Sequence, residues 1–564
     1  MQQFARLDQI GDQMTGLPSR FAHGTQAART KHLHPCSIGT IMLVKIIMVA
    51  AFAAVAVGIG FICRRHAASV DGFVLGGRNV GPWLSAFAFG TSYFSAVIFV
   101  GYAGQFGWKY GLAATWVGIG NAILGSLLAW WVLGPRTREM TQRLRASTMP
   151  EFFGKRYSSR ALRIAAAAII FVFLIPYTAS VYNGLSRLFG MAFGLPYEVC
   201  VIGMALVTCI YVVIGGYMAT VVNDFVQGIV MLFGIVAVVA AVLAGNGGFS
   251  EAVIELSQVP AEGTELQGAF VSMFGPDLLN LLGVIVLTSL GTWGLPQMIQ
   301  KFYAIKSGPA IKQGAIISTL FAMVVAGGSY FLGGFGRLYG DQIAFAADGT
   351  PVYDSIIPTM LSGLPDILVG LVIVLVLSAS MSTLSSLVLT SSSTLTLDLI
   401  KGNLVKDFGE RGQLLCMRGL LVVFVVISAA IAIVQYNSSI TFIAQLMSIS
   451  WGALAGAFLG PFLWGLYSKR ISRAAVWASF IVGVGLTTGN MIMGFVGEPL
   501  IASPINCGAI AMLLSLAIVP LVSLVTKPAP FELEIAHPSR KGAIDRELEA
   551  EAREAEAGTS ISEQ

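Results

Sequence analysis

The chain reads as an all-α polytopic membrane protein with about thirteen transmembrane helices. Of its 564 residues 55% are hydrophobic and only 11% charged, and its mean hydropathy is +0.78. A chain of that composition has lipid as its main solvent. Windows of roughly 20 apolar residues, the length needed to cross a bilayer as helix, recur along almost the whole sequence. The basic residues of the intervening loops alternate from one loop to the next, as they do when successive loops lie on opposite sides of a membrane.

Taken in order, the windows fall near residues 41–63, 82–104, 112–134, 161–190, 196–214, 222–244, 278–299, 314–335, 366–397, 415–435, 441–467, 473–495 and 505–526. Basic loops carry Arg64 and Arg65, Arg136 to Arg160, then Lys301, Lys306 and Lys312, then Lys401 to Arg418, and Lys469 to Arg473. The loops between them are acidic or neutral, notably Glu251 to Asp277 and Asp341 to Asp354. Short Lys- and Arg-rich loops stay in the cytoplasm, so an odd number of spans puts the N-terminus outside and the C-terminus inside. The loop after the fifth window, Gly215 to Val222, is uncharged and does not bear on orientation. Residues 1–40 read as an extension, disordered or preceding a true start at Met42, with no signal-peptide core. Residues 527–564 read as a charged, acidic cytoplasmic tail. The transmembrane domain is thus 41–526.

Six scattered cysteines form no close-spaced metal or redox pair, and all five histidines lie outside the windows. An intramembrane enzyme lacks its usual base, because the serines have no His or Lys expected in the same plane. The chain is therefore read as a non-enzyme with no cofactor, no nucleic-acid partner and no obligate protein partner; its surroundings are the lipid bilayer.

Two features carry positive information. The window near 366–397 contains Ser378, Ser380, Ser382, Thr383, Ser385, Ser386 and Thr390, which gives it a wet or ion-facing side. Helical hydroxyls often bond back to their own carbonyls or serve as packing glue, yet the adjacent pair Ser382 and Thr383 also offers two hard oxygens to a small cation. The second feature is a pair of glycine-rich interruptions, FGTSYFSA in the second window and SLGTWGLPQ in the seventh. Membrane helices lose backbone hydrogen bonds only where protein, water or an ion replaces them. Interruptions five spans apart are the spacing of two inverted five-helix repeats, each opening on a discontinuous helix, here about 82–244 and 278–467.

The chain resembles the sodium:solute symporters, the group with the bacterial sodium/proline and sodium/galactose carriers, over nearly all of 41–526. The landmarks are FVLGGRNVGP (Phe73 to Pro82), TMPEFFGKRY (Thr148 to Tyr157), IGGYMATVVNDFVQG (Ile214 to Gly228), ASMSTLSSLVLTSSSTLTLDLI (Ala379 to Ile400) and WGALAGAFLGPFLWGLYSKRIS (Trp451 to Ser472). The resemblance implies a leucine-transporter-type fold in which a bundle rocks against a scaffold, located in the bacterial inner membrane. It implies sodium bound by the backbone carbonyls of Thr91, Phe94 and Ala379 and the hydroxyls of Ser382 and Thr383, with sodium as the coupling ion and a small solute as cargo. It also gives Asp224 a role in the ion path and Arg78 one near the cytoplasmic gate; Asp398 reads as structural.

The chain departs from that pattern where the solute would sit. Tyr93 stands where the sodium/proline carriers have an aspartate, and Thr288 and Thr292 stand where they have aromatic residues ahead of Pro296. Ser92, Tyr93, Ser95, Tyr177, Thr288, Thr292, Trp293, Gln445 and Trp451 remain as candidate cavity residues. They suit a small neutral, zwitterionic or monoanionic solute such as an amino acid or small carboxylate. The expected function is sodium-coupled secondary active uptake by alternating access. Proton coupling on the same fold and a transporter-like membrane sensor are the alternatives.

Overall fold

The computed structural model describes residues 35–193, 196–261, 267–346, 349–405, 407–438 and 443–531. The N-terminal extension up to residue 34 and the acidic tail from 532 lie outside the described residues. Everything described is helical apart from loops and isolated bridges.

The main helices are α1 (Pro35–Cys63), α2 (Pro82–Tyr93), α3 (Val97–Arg143), α4 (Arg160–Phe193) and α5 (Tyr197–Gly245). They continue with α6 (Leu278–Gly294), α7 (Pro296–Ala304), α8 (Gly308–Gly333), α9 (Asp366–Thr394) and α10 (Glu410–Ser438). The last are α11 (Ile443–Tyr467), α12 (Arg473–Val496) and α13 (Pro504–Val525). By length and apolarity ten helices among the described residues can cross a membrane, or eleven if α6 and α7, bent by 47°, form one broken span. Thirteen separate helices are therefore not reproduced. The second window divides at Phe94, and its second half runs into the third within α3, while the fifth and sixth merge in α5. At 1.5 Å per residue, α3 and α5 are far longer than a bilayer is thick, and each is interrupted at a glycine of positive φ: Gly111 (59°) and Gly216 (55°). A side chain at Gly216 would also meet the Phe73 backbone at 3.0 Å, so only glycine fits this corner.

Both predicted interruptions are present, and they match. Helix α2 ends at Phe94 (φ −87°, ψ 113°) and α6 at Leu295 (φ −80°, ψ 125°). Each break residue is extended, and each donates its N–H to the carbonyl of a glycine four residues earlier, Gly90 and Gly291. The local sequences, Gly90-Thr91-Ser92-Tyr93-Phe94 and Gly291-Thr292-Trp293-Gly294-Leu295, share the pattern Gly-Thr-x-x-apolar. Each glycine admits a large ring against the helix: Phe321 on Gly90 and Trp451 on Gly291, where a Cβ would come within 2.4 Å of the ring.

The hydroxyl-rich helix is enclosed by protein over its central stretch. Every residue of α9 from Val372 to Thr394 is buried, so it is the central post of the fold. It packs against α4, α5, α2 and α10. Several hydroxyls take the plain role, Ser378 donating to the Val374 carbonyl (2.7 Å) and Ser380 to that of Val376 (2.8 Å).

Close helix crossings rest on glycine, as expected where lipid supplies no hydrophobic drive between helices. A Cβ on Gly107 would stand 2.0 Å from the Gly333 backbone, whereas one on Gly58 meets nothing within 4 Å. Gly107→Ala should therefore lose about 1–3 kcal/mol through overpacking against backbone that cannot yield. Gly58→Ala should leave the thermal midpoint of the purified protein unchanged or slightly raised.

Candidate functional site

The break at Phe94 leaves the carbonyls of Thr91 and Phe94 without the N–H of a next helical turn. Both face α9. The Ser382 hydroxyl lies 3.0 Å from the Thr91 carbonyl and 3.0 Å from that of Ala379. The Thr383 hydroxyl lies 3.4 Å from Thr91 O, 3.5 Å from Phe94 O and 3.1 Å from Ala379 O. All five expected ligands thus converge on one buried point. A five-oxygen shell of radius about 2.4 Å has adjacent oxygens roughly 3.4 Å apart, and the observed separations of 3.0–3.5 Å fall around that value. Small movements suffice to turn hydroxyls that now donate to carbonyls into ligands.

Beside this cage lies an aromatic cluster. The Tyr93 ring stands 6.3 Å from that of Trp451, and Tyr177 meets Trp451 edge-on at 5.9 Å. Trp451 also rests on Gly291, so one indole touches the helices of both breaks. The hydroxyls of Tyr93 and Tyr177 and the Trp451 indole nitrogen are buried without a hydrogen bond of normal geometry. Buried polar groups are normally paired, so the unpaired Tyr93 hydroxyl beside the Tyr177–Trp451 pair marks a place where polar atoms of a solute can be received.

The remaining candidates are placed differently. Ser92 bonds Ser386 at 2.8 Å, and Ser95 caps the restart of the chain by accepting the Val97 N–H. Thr292 donates to the Gly125 carbonyl at 2.8 Å, Trp293 to that of Leu124 at 2.9 Å, and Thr288 to Val284 of its own helix. Thr292 and Trp293 serve the α3–α6 seam, and Thr288 stays within its own helix. Gln445 is half-buried and six residues before Trp451, about 9 Å along the helix.

Asp224 is fully buried on α5. One turn further, a Cβ on Gly228 would lie 3.1 Å from the Thr91 side chain, which sets Asp224 one turn from the level of the cage. Its neighbour is Lys301, whose ammonium stands 3.7 Å away. This corrects two expectations. Lys301 is not a loop residue but sits in α7, 1% exposed, and a lysine does share the plane of the serines, because it donates to Ser386 at 3.0 Å. A buried charge is tolerated when paired, and the pairing helix is 77 residues away, so no local pattern announces it. The one local signal was helical register past Pro296, which carries Lys301 inward.

Arg78 lies at the mouth of α2 with φ 56°, following Gly76 and Gly77 of positive φ. It donates to the Ala146 carbonyl at 2.8 Å and stands 3.8 Å from Asp71. Beyond it, Val80 N–H donates to Ala304 O and Lys306 N–H to Val80 O, tying the start of α2 to the end of α7. Asp398 accepts from Arg163 (2.7 Å) and Thr148 (2.6 Å), joining the end of the hydroxyl helix to neighbouring elements. Asp398→Asn should lower stability by roughly 2–3 kcal/mol, discounted for the partly exposed Arg163. Any sodium response of the protein should keep its half-saturation in that variant, and a shift of that value would give Asp398 more than a structural role.

Fold and site together define a polytopic helical membrane protein with two broken helices, the first of which forms a cage of oxygens with α9. The chain belongs to the sodium:solute symporter family, whose pattern matches residues 73–483. It is 30% identical over 435 residues to the sodium/proline symporter of Salmonella typhimurium, covering 75% of this chain and 83% of that one. It is 28% identical over 440 residues to the osmoregulated proline transporter OpuE of Bacillus subtilis, covering 76% and 86%. Among solved structures it shares the fold of a sodium-coupled sialic acid symporter in a substrate-bound outward-open state, with TM-score 0.69 at 15% identity over 86% of this chain and 98% of that one.

Proposed function

We propose that the protein carries a small organic solute into the cell by coupling it to sodium. The observation that carries this reading is the convergence of the Thr91, Phe94 and Ala379 carbonyls with the Ser382 and Thr383 hydroxyls. Sodium is a hard cation, and unwound carbonyls with hydroxyls can hold it without a carboxylate. Thirteen crossings with the N-terminus outside and two inverted repeats, as in leucine-transporter-type carriers, agree with the loop charges and with the matched breaks. In this arrangement sodium enters from outside, draws α2 onto α9 and so sets Tyr93 toward Trp451. The solute completes the site, the bundle rocks, and both leave past Asp224 and the Arg78 strap.

The solute sits between Tyr93, Tyr177 and Trp451. Apolar faces with the unpaired Tyr93 hydroxyl suit a small zwitterion or monoanion, its carboxylate toward that donor and the bound sodium. The proline relatives make proline the first compound to try, although Tyr93 alters the environment next to the cage. One sodium moving down 100 mV contributes about 2.3 kcal/mol, before any concentration gradient.

The test is uptake into proteoliposomes across a panel of amino acids and small carboxylates, driven in turn by a sodium gradient, a potassium gradient and a pH gradient. Accumulation under the sodium gradient alone is expected. Accumulation under the pH gradient without sodium would replace this reading with proton coupling.

A further inference from the structure

We propose that the Lys301 ammonium is a resident cation at Asp224 that keeps this carboxylate from binding a coupling ion, so that one sodium moves per cycle. This rests on the sodium-coupled reading above and adds the stoichiometry to it.

Asp224 is fully buried, and neither of its oxygens receives a hydrogen bond. A carboxylate in that state requires a counter-charge nearby. The Lys301 ammonium meets the need at 3.7 Å, an ion-pair distance too long for a hydrogen bond. It is held in place by its bond to Ser386, which is bonded in turn to Ser92, and it lies over the Tyr217 ring at 5.3 Å. Gln300, its chain neighbour, accepts from Thr390 one turn further along α9 and donates to Val74. The lysine therefore sits on a helix pinned to the hydroxyl helix at two successive turns.

The groups around the ammonium are those a hard cation would choose. Besides the carboxylate there is the Ser386 hydroxyl. Gln227, one turn from Asp224 on α5 and not in contact with the ammonium by any hydrogen bond, is buried with both amide atoms unpaired. Oxygen donors, a negative charge and unpaired polar atoms make a niche that must hold a cation, and the chain supplies its own. A tethered ammonium cannot cross the membrane, so it neutralises Asp224 without adding a transported charge. Ser386 lies one helical turn from Ser382, and Ser92 lies next to Thr91, so the resident cation also reaches the cage through two hydroxyls.

Lys301→Gln removes the tethered charge and leaves a buried carboxylate that must take up sodium or a proton in its place. Sodium titration of the detergent-purified protein at pH 8, read as thermal stabilisation, is expected to change from a Hill coefficient near one to a value approaching two. The double variant Lys301→Gln with Asp224→Asn removes both charges and should return to one. An unchanged coefficient and half-saturation in folded Lys301→Gln would overturn the proposal. Equilibrium binding of radioactive sodium to the wild-type protein is independent of how the variants fold. One ion per chain is expected, and two would equally overturn the proposal. A wild-type protein that binds no sodium would instead sink the coupling reading on which the proposal rests.

Discussion

Thr383→Ala and Ser382→Ala each raise the sodium concentration for half-maximal uptake by roughly 10- to 100-fold, because each removes one oxygen of the five. A bond to a charged group is worth about 1.5–3 kcal/mol, and every 1.4 kcal/mol is tenfold. Thr383 approaches three carbonyls and Ser382 two, so the Thr383 change is the larger. The comparison is Ser380→Ala on the same helix. Its hydroxyl bonds only the Val376 carbonyl of its own helix, and its half-saturation should stay within about twofold of wild type. Equal effects in all three variants would mean that helix packing, not ligation, governs the response.

The second large effect is expected at Trp451. Truncation to alanine removes the ring against which Tyr93 and Tyr177 pack and opens the groove at Gly291. Loss of a central buried aromatic in a binding site costs on the order of 2–4 kcal/mol of affinity, hence roughly 30- to 1000-fold in solute half-saturation. The alanine change also costs about 3–5 kcal/mol of packing, so Trp451→Phe separates the two. It keeps a ring but lacks the indole N–H, and it should weaken solute uptake about tenfold while the protein stays folded and its sodium-induced stabilisation persists. Full uptake by Trp451→Phe would place the solute elsewhere.

Much of this was legible in the sequence because the bilayer allows so few solutions. Hydropathy located the apolar helices, though not their number as separate spans, and a glycine-rich stretch inside an apolar run marked both breaks. The Ser382-Thr383 pair was visible as adjacent hydroxyls, and the family resemblance supplied the three carbonyls that meet them. The misreadings share a cause: the deciding partner lies far along the chain. Lys301 resembled a loop charge until Asp224, on another helix, paired it. Thr292 and Trp293 resembled cavity residues, but carbonyls near Gly125 claim them. Windows five and six are two helical stretches joined at the Gly216 kink within α5, as two spans require. The wet or ion-facing side expected on α9 is enclosed by protein, and its Ser382 and Thr383 face the carbonyls of the first break.

The central claim is that Ser382, Thr383 and the carbonyls of the first break hold sodium. Its most direct test is the apparent stability of the purified wild-type protein against sodium concentration at constant ionic strength, with potassium as the balancing salt. A specific ligand of the native state stabilises by RT ln(1 + [L]/Kd). The account predicts a midpoint that rises with the logarithm of sodium, and a flat response in the Ser382→Ala, Thr383→Ala double variant. Sodium and potassium curves that coincide for the wild type would contradict it.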